Sequence, residues 1–310
     1  MGLRTAIRPP LRPPLRQRSF LKTLTADSAL KYWLLAPVVL VLLALTVYPY
    51  VYALRISMFA FRFGKQADFI GLTNYANIWR DAPFWASLLR TILFSFIVVA
   101  VELVIGLVLA LLANRITIFR NIVRTGLVLP MSIATVVVCI IWRSLFSVEF
   151  GLLDYVTDTV FHIGRPNWLG NLAFISIIIL DVWQWTPFMF LVLLAGLQAI
   201  PIELYDAAYV DGASELGLLR YVTLPLLSPT ILVGVLVRTV DALRIFDQVF
   251  LLTAGGPGAT TEFVSLYIYK TAFKFSQVGY ASALLFVLFA VTIVIALIYM
   301  SILRHRREIY

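Results

Sequence analysis

Apolar residues fall into six long runs, near residues 33–53, 91–113, 125–142, 172–197, 229–252 and 280–303, with polar and charged positions gathered between them. A helix needs roughly 20 mainly apolar residues to cross a hydrocarbon core about 30 Å thick, and each run is close to that length or longer. None shows the alternation of a barrel strand, and helices satisfy their backbone within one segment. The pattern predicts an all-α integral membrane protein of six transmembrane helices. The first run follows basic residues and carries Val51-Tyr52-Ala53 near its end, as a signal peptide would. Its length and the five runs behind it favour a retained helix.

Composition agrees: 61% of residues are hydrophobic and 13% charged, against about 25% charged in an average soluble domain. The single cysteine, Cys139, lies in the third run and has no partner for an intramolecular disulfide. Cations set the expected orientation. Arg4, Arg8, Arg12, Arg16, Arg18, Lys22 and Lys31 precede the first run, Arg115, Arg120 and Arg124 separate the second from the third, and Arg304, Arg306 and Arg307 follow the last. Six crossings put all three groups on one side, which the positive-inside rule makes cytoplasmic, together with both termini. Arg55, Arg62, Lys65, Arg80 and Arg90 on the opposite side reduce the contrast. The net charge of +9 is then mainly a topology signal. The Arg-Pro-Pro-Leu-Arg-Pro-Pro-Leu-Arg stretch beside a membrane helix suits anionic lipid better than nucleic acid.

The expected organisation is a basic, Pro-rich cytoplasmic tail over 1–32, a transmembrane domain over 33–303 with its core at about 88–303, and a basic cytoplasmic C-terminus over 304–310. Outer loops fall at about 55–90, 143–171 and 253–279. The 198–228 connection faces the cytoplasm.

That connection holds the most unusual polar segment. Pro201 suits the first turn of a short helix, and Glu203 and Asp206 near its start suit the positive end of the dipole. Ala207 and Ala208 allow close approach, Gly212 permits a helix end, and Asp211 or Ser214 can cap the next turn. Pro225 and Pro229 punctuate the approach to the fifth run. These residues fit either an amphipathic interfacial loop or a stiff lever for a soluble partner.

Ile200-Pro201-Ile202-Glu203-Leu204-Tyr205-Asp206-Ala207-Ala208-Tyr209-Val210-Asp211-Gly212-Ala213, followed by Leu224-Pro225-Leu226 and Pro229, resembles the EAA motif of permease subunits of binding-protein-dependent ABC importers. The resemblance implies a type I importer permease fold and a cytoplasmic coupling helix seated on an ATPase subunit. Its contacts here would be Glu203, Asp206, Ala207, Ala208, Asp211, Gly212, Ala213 and Pro225. Asp206 replaces the family's usual Glu, keeping the charge with one fewer methylene. Asp181-Val182-Trp183, Thr186-Pro187-Phe188 and Phe246-Asp247-Gln248 through Gly255-Gly256-Pro257, with Thr260 and Thr261, resemble the carbohydrate-uptake branch, whose cargo includes maltose, trehalose, polyols and glycerol 3-phosphate. The implied partners are a second homologous permease subunit, two ATP-binding subunits carrying ATP and Mg, an extracytoplasmic solute-binding protein and membrane lipid. The implied location is the bacterial cytoplasmic (inner) membrane.

Intramembrane charges mark the expected cargo path. Glu102, Asp181, Arg238, Asp241, Arg244 and Asp247 lie in predicted spans, where an ionisable group costs about 2.5–3.5 kcal/mol or more and faces protein or water. The fifth run alternates Arg238, Asp241, Arg244 and Asp247 at i, i+3, which fits a self-neutralised ladder or a polar wall that binds sugar hydroxyls. Trp183 and Trp185 offer aromatic faces to a sugar ring, while Trp33, Trp142 and Trp168 suit interfacial anchoring. Gly255, Gly256 and Pro257 complete the candidate path as an outer turn or gate. Gly106 and Ala110 form a small-xxx-small pair for helix packing, and Glu102 one turn away fits either a neighbouring helix or the path.

No catalytic or metal centre is expected. His162 and His305 fall on opposite predicted sides, no phosphate-cradling Gly-x-x-x-x-Gly-Lys-Ser/Thr loop occurs, and no Cys/His cluster has ligand spacing. The chain is expected to bind no cofactor and to be no ATPase. The rival class, a stand-alone proton-coupled secondary transporter, would use Glu102 or Asp181, but no inverted repeat is evident.

Overall fold

The computed structural model describes residues 20–64, 67–115, 120–162 and 164–307. Most of the Pro-rich tail, Lys65 and residues 308–310 lie outside them. Thirteen α-helices are described: α1 (Phe20–Ser57), α2 (Thr73–Ile78), α3 (Ala82–Arg115), α4 (Arg120–Ser132), α5 (Thr135–Leu145), α6 (Leu152–Thr159), α7 (Ala173–Gln198), α8 (Ile202–Val210), α9 (Glu215–Leu218), α10 (Leu224–Ala242), α11 (Asp247–Leu252), α12 (Val264–Tyr269) and α13 (Val278–Arg307). Among the described residues the only β-pairing is an isolated bridge between Phe59 and Phe69.

Two compact units divide the chain, one ending at Ala53 and the other starting at Leu54. In the first, α1 carries Pro37 and Pro49 without breaking, and Tyr48 stacks on Tyr52 one turn on. The helix begins at Phe20, inside the segment expected to be tail. Its apolar stretch, Lys31–Ser57, is long enough to cross a bilayer.

The second unit is organised on α3, α7 and α10. Gly106 and Ala110 bring α3 against α7: a Cβ on Gly106 would lie 3.0 Å from Met189 Cβ and Cγ and 3.1 Å from the Phe190 backbone nitrogen, and Ala110 is fully buried. Gly234 of α10 packs on the same Met189: a Cβ there would lie 3.2 Å from its Sδ. In lipid, where hydrophobicity does not drive helices together, such close contact supplies the packing. Gly106→Leu is expected to lower the stability of the detergent-solubilised protein by about 1–3 kcal/mol by overpacking this seam. Gly126→Leu, at a helical glycine with nothing within 4 Å of a Cβ, is the control. Equal thermal-unfolding midpoints for the two variants would contradict the seam.

Two predicted spans differ from expectation. The third is not one straight helix: its two halves, Asn121–Ser132 and Thr135–Leu145, meet at 90°. Pro130 removes a helical donor in the last turn of the first half, and Ala134 (φ −58°, ψ 132°) starts the second from extended geometry. The fifth ends at Ala242 instead of Leu252; residues 243–246 turn the chain, and α11 is a separate short helix packed on α5. The helix instead reaches back to Glu215 through a π-helical turn at Leu219–Thr223, closed by Leu224 N–H donating to the Leu219 carbonyl. This widened turn accommodates Pro225, which has no N–H to donate.

Beside this core, Asp81 ties three helices together. It accepts from the Phe84 backbone N–H at the start of α3 (3.0 Å), from Tyr267 Oη of α12 (2.9 Å to each oxygen) and from Tyr280 Oη of α13 (2.6 Å). Burial, then the Asp81 carboxylate, raises the Tyr267 phenol above its usual range, keeping it a donor.

Candidate translocation cavity and coupling surface

Arg238 is the centre of the membrane core. Its side chain is 2% exposed, and Glu102 and Asp181 beside it are 0% and 4% exposed. The fork donates from Nε and Nη2 to the two oxygens of Glu102 at 2.8 and 3.0 Å, from Nη2 to Asp181, and from Nη1 to Asp241 at 3.1 Å. Three helices are thereby joined: α3 through Glu102, α7 through Asp181 and α10 through Arg238. The guanidinium also lies 5.4 Å from the Trp185 ring centroid. A charge at this depth needs such complete pairing.

The cluster opens on one side into a cavity of about 240 Å³ lined by Thr135, Asp181, Trp185, Arg238, Asp241, Ala242, Arg244, Ile245, Phe246, Asp247 and Gln248. The turn at 243–246 forms much of its wall. Of the sequence-predicted path residues, Asp181, Trp185, Arg238, Asp241, Arg244 and Asp247 meet here. The ladder is realised only in part: Arg244 Nη2 is 3.9 Å from Asp241 Oδ1, whereas Asp247, displaced to the first turn of α11, has no described cation within salt-bridge distance. Glu102 lies behind Arg238, off the cavity wall.

Trp183, Gly255, Gly256 and Pro257 do not line this cavity. Trp183 sits on another face of α7, against Trp142 (5.6 Å between centroids) and an apolar groove shared with α3 and α4. Gly255-Gly256-Pro257 belongs to a self-bonded loop: the Thr253 and Thr261 hydroxyls lie 2.8 Å apart, Thr261 donates to the Gly256 carbonyl at 2.7 Å, and Gly255 is buried at φ +93° beside Leu266 and the Lys270–Glu262 pair. At this φ an L side chain is strained whatever the space around it, so the position favours glycine.

A polar relay joins the cavity that the sequence reading did not single out. Gln248 Nε2 donates to Gln184 Oε1 (3.3 Å), and Gln184 Nε2 donates to Thr135 Oγ1 (3.2 Å). The signal for Gln248 and Gln184 was their polarity beside already noted residues, Asp247 and the Trp183/Trp185 pair; Thr135 gave none.

The second site is the 198–228 connection. The chain enters α8 from Pro201 (ψ 136°), and α8 has no buried residue. It ends in a Schellman motif: Ala213 N–H donates to Ala208 O (2.9 Å) and Gly212 N–H to Tyr209 O (3.0 Å), with Gly212 at φ +79°. Ser214, not Asp211, caps the next helix, its Oγ accepting from Gly217 N–H at 3.2 Å. Asp206 lies mid-helix, beyond the first turn that holds Glu203. Glu203, Asp206, Ala207, Asp211 and Gly212 are exposed, while Ala208, Ala213 and Pro225 are half-buried. Ile202, Val210, Leu216 and Tyr221 add apolar surface, each at least 65% exposed. From one side Arg115, the last residue of α3, pairs with Glu215, which accepts from Tyr209 Oη at 2.8 Å.

Residues 102–308, which hold both sites, match the family described as binding-protein-dependent transport system inner membrane component. The chain is 35% identical over 285 residues to the trehalose/maltose transport system permease protein MalF of Thermococcus litoralis, covering 91% of this chain and 96% of that one. It is 36% identical to the sulfoquinovosyl glycerol transport system permease protein SmoG of Agrobacterium fabrum, covering 90% and 91%. Its fold superposes with TM-score 0.77 on a chain of a bacterial alginate ABC transporter solved with an alginate pentasaccharide-bound periplasmic protein, at 23% identity and covering 90% and 95%. Extent and identity together place the chain in the family of binding-protein-dependent transport system inner membrane components: it is a permease subunit of an ABC importer and a multi-pass inner-membrane protein.

Proposed function

We propose that this permease subunit carries a carbohydrate across the bacterial cytoplasmic membrane by alternating access, driven by ATPase subunits that dock on α8 and its flanks. The observation that carries the reading is the cavity itself: one indole face, three carboxylates and a buried amide at the junction of three membrane helices suit a polyhydroxylated ring. Relatives named for trehalose/maltose and for sulfoquinovosyl glycerol support the class. Counting the bent α4–α5 pair as one crossing gives six, with both termini and α8 on the cytoplasmic side.

In this reading Glu203, Asp206, Ala207, Ala208, Asp211, Gly212, Ala213 and Pro225 form or support the coupling contact. Two ATP-binding subunits hold ATP and Mg, a second homologous permease subunit completes the path, and an extracytoplasmic solute-binding protein delivers cargo. Closure of the ATPases moves α8, and the continuous Glu215–Ala242 helix passes that movement to Arg238 and the cavity. The test is ATP hydrolysis by the assembled complex with its binding protein across a panel of sugars, polyols, amino acids and peptides. Stimulation confined to carbohydrates is expected; stimulation by an amino acid or peptide alone would overturn the cargo class.

A further inference from the structure

Family membership leaves cargo charge undecided, since the relatives' names include a neutral disaccharide and a sulfonated glycoside. The polar groups of the cavity decide it. Four of the five Arg238 N–H groups are already committed to Glu102, Asp181 and Asp241. The buried arginine therefore has one donor to spare and cannot act as the two-pronged receptor that a carboxylate, sulfonate or phosphate requires. Arg244, the other lining cation, is 65% exposed and leans toward Asp241.

The wall carries three acidic side chains, Asp181, Asp241 and Asp247, against two basic ones, Arg238 and Arg244, so acidic groups outnumber cations on it. Acceptors, by contrast, are in surplus. Gln248 is 3% exposed, and its Oε1 is buried without a hydrogen-bond partner. Its orientation is fixed from the far end of the relay: Gln184 spends its amide hydrogens on Thr135 Oγ1 and the Ile133 carbonyl, so its oxygen must accept from Gln248 Nε2, leaving Gln248 Oε1 as a free acceptor. A buried acceptor left empty costs free energy unless a ligand donor meets it. Asp247 is a second acceptor without a cation partner among the described residues.

We infer that this cavity selects uncharged polyhydroxylated cargo and rejects sugars bearing a carboxylate, sulfonate or phosphate, with Gln248 Oε1 and Asp247 accepting from cargo hydroxyls. The inference rests on the carbohydrate reading above and adds the sign of the cargo to it. An added anionic group within a few ångströms of an unpaired carboxylate weakens binding by about tenfold or more, since a like charge at about 4 Å costs about fivefold even in bulk water and about a thousandfold at an effective dielectric constant of about 20.

The test uses the permease–ATPase complex in lipid nanodiscs without its binding protein, so that only the cavity chooses. Trehalose and maltose are titrated by saturation-transfer difference NMR beside their counterparts in which one CH₂OH is oxidised to carboxylate. Wild type is expected to bind at least one neutral sugar, and its carboxylated partner more weakly by about tenfold or more. Asp247→Asn, at an exposed position with no ion pair, should narrow that gap, and Gln248→Leu should weaken the neutral sugar selectively. Equal or tighter binding of the carboxylated sugar overturns the inference and leaves the carbohydrate reading intact. So does a gap that neither variant changes. Absence of binding by either kind overturns the cavity as cargo site, while carbohydrate stimulation of ATP hydrolysis with the binding protein remains an independent measure of cargo class.

Discussion

Arg238→Met is expected to destabilise the protein by about 3–5 kcal/mol, because it leaves two carboxylates buried without their cation. Glu102 is fully buried and Asp181 nearly so, and each is held by the same guanidinium. The loss appears as a lower midpoint in thermal unfolding of the solubilised complex, followed by a loss of uptake. Arg238→Lys should fail almost as badly, since an ammonium cannot serve Glu102 in two-pronged fashion while reaching Asp181 and Asp241. The triple variant Glu102→Gln, Asp181→Asn, Arg238→Met removes the charges together and should recover most of the stability. An unchanged midpoint for Arg238→Met alone would show that the three-helix ion cluster does not hold the core.

Asp211→Lys combined with Gly212→Val should abolish uptake and cargo-stimulated ATP hydrolysis while the protein still inserts and folds. Gly212 sits at φ +79° with nothing within 4 Å of a Cβ, so valine meets backbone strain rather than a clash. That strain is about 1–2 kcal/mol or more for a β-branched residue, enough to undo a Schellman end on a helix with no buried residue. Charge reversal at Asp211, exposed on the same turn, removes the acidic contact proposed for the ATPase. The membrane core lies elsewhere and should be untouched. Near-normal uptake by the double variant would remove α8 from the coupling role.

The spans were legible because lipid leaves helices few alternatives, and α8 was legible because Pro201 and Gly212 bracket it with opposite backbone requirements. The break at 132–135 was not. Val136, Val137, Val138, Ile140 and Ile141 continue the apolar run, and prolines at 37, 49, 187 and 229 sit inside unbroken helices, so Pro130 alone was no signal. The turn at 243–246 was hidden in the same way by Leu243 and Ile245. Local charge spacing suggested a ladder along one helix, yet Arg238 bonds chiefly across space, to Glu102 at a separation of 136 residues and to Asp181 at 57. The two tryptophans were separable from sequence: residues two apart on a helix point away from each other, whereas Asp181 and Trp185, four apart, share a face. Gly255-Gly256-Pro257 carried a strong resemblance whose structural meaning, a loop tied by Thr253 and Thr261, appears only once the fold closes.

Uptake into proteoliposomes separates ATP-driven entry from gradient-driven entry. The chain is reconstituted with its partner permease, the ATP-binding subunits and the binding protein, and carbohydrate entry is followed with and without ATP on the side that carries α8. Entry is expected to require ATP and to disappear in the Asp211→Lys, Gly212→Val variant. Entry mediated by this chain alone, without ATP and driven by a proton gradient, would contradict ATP-driven import.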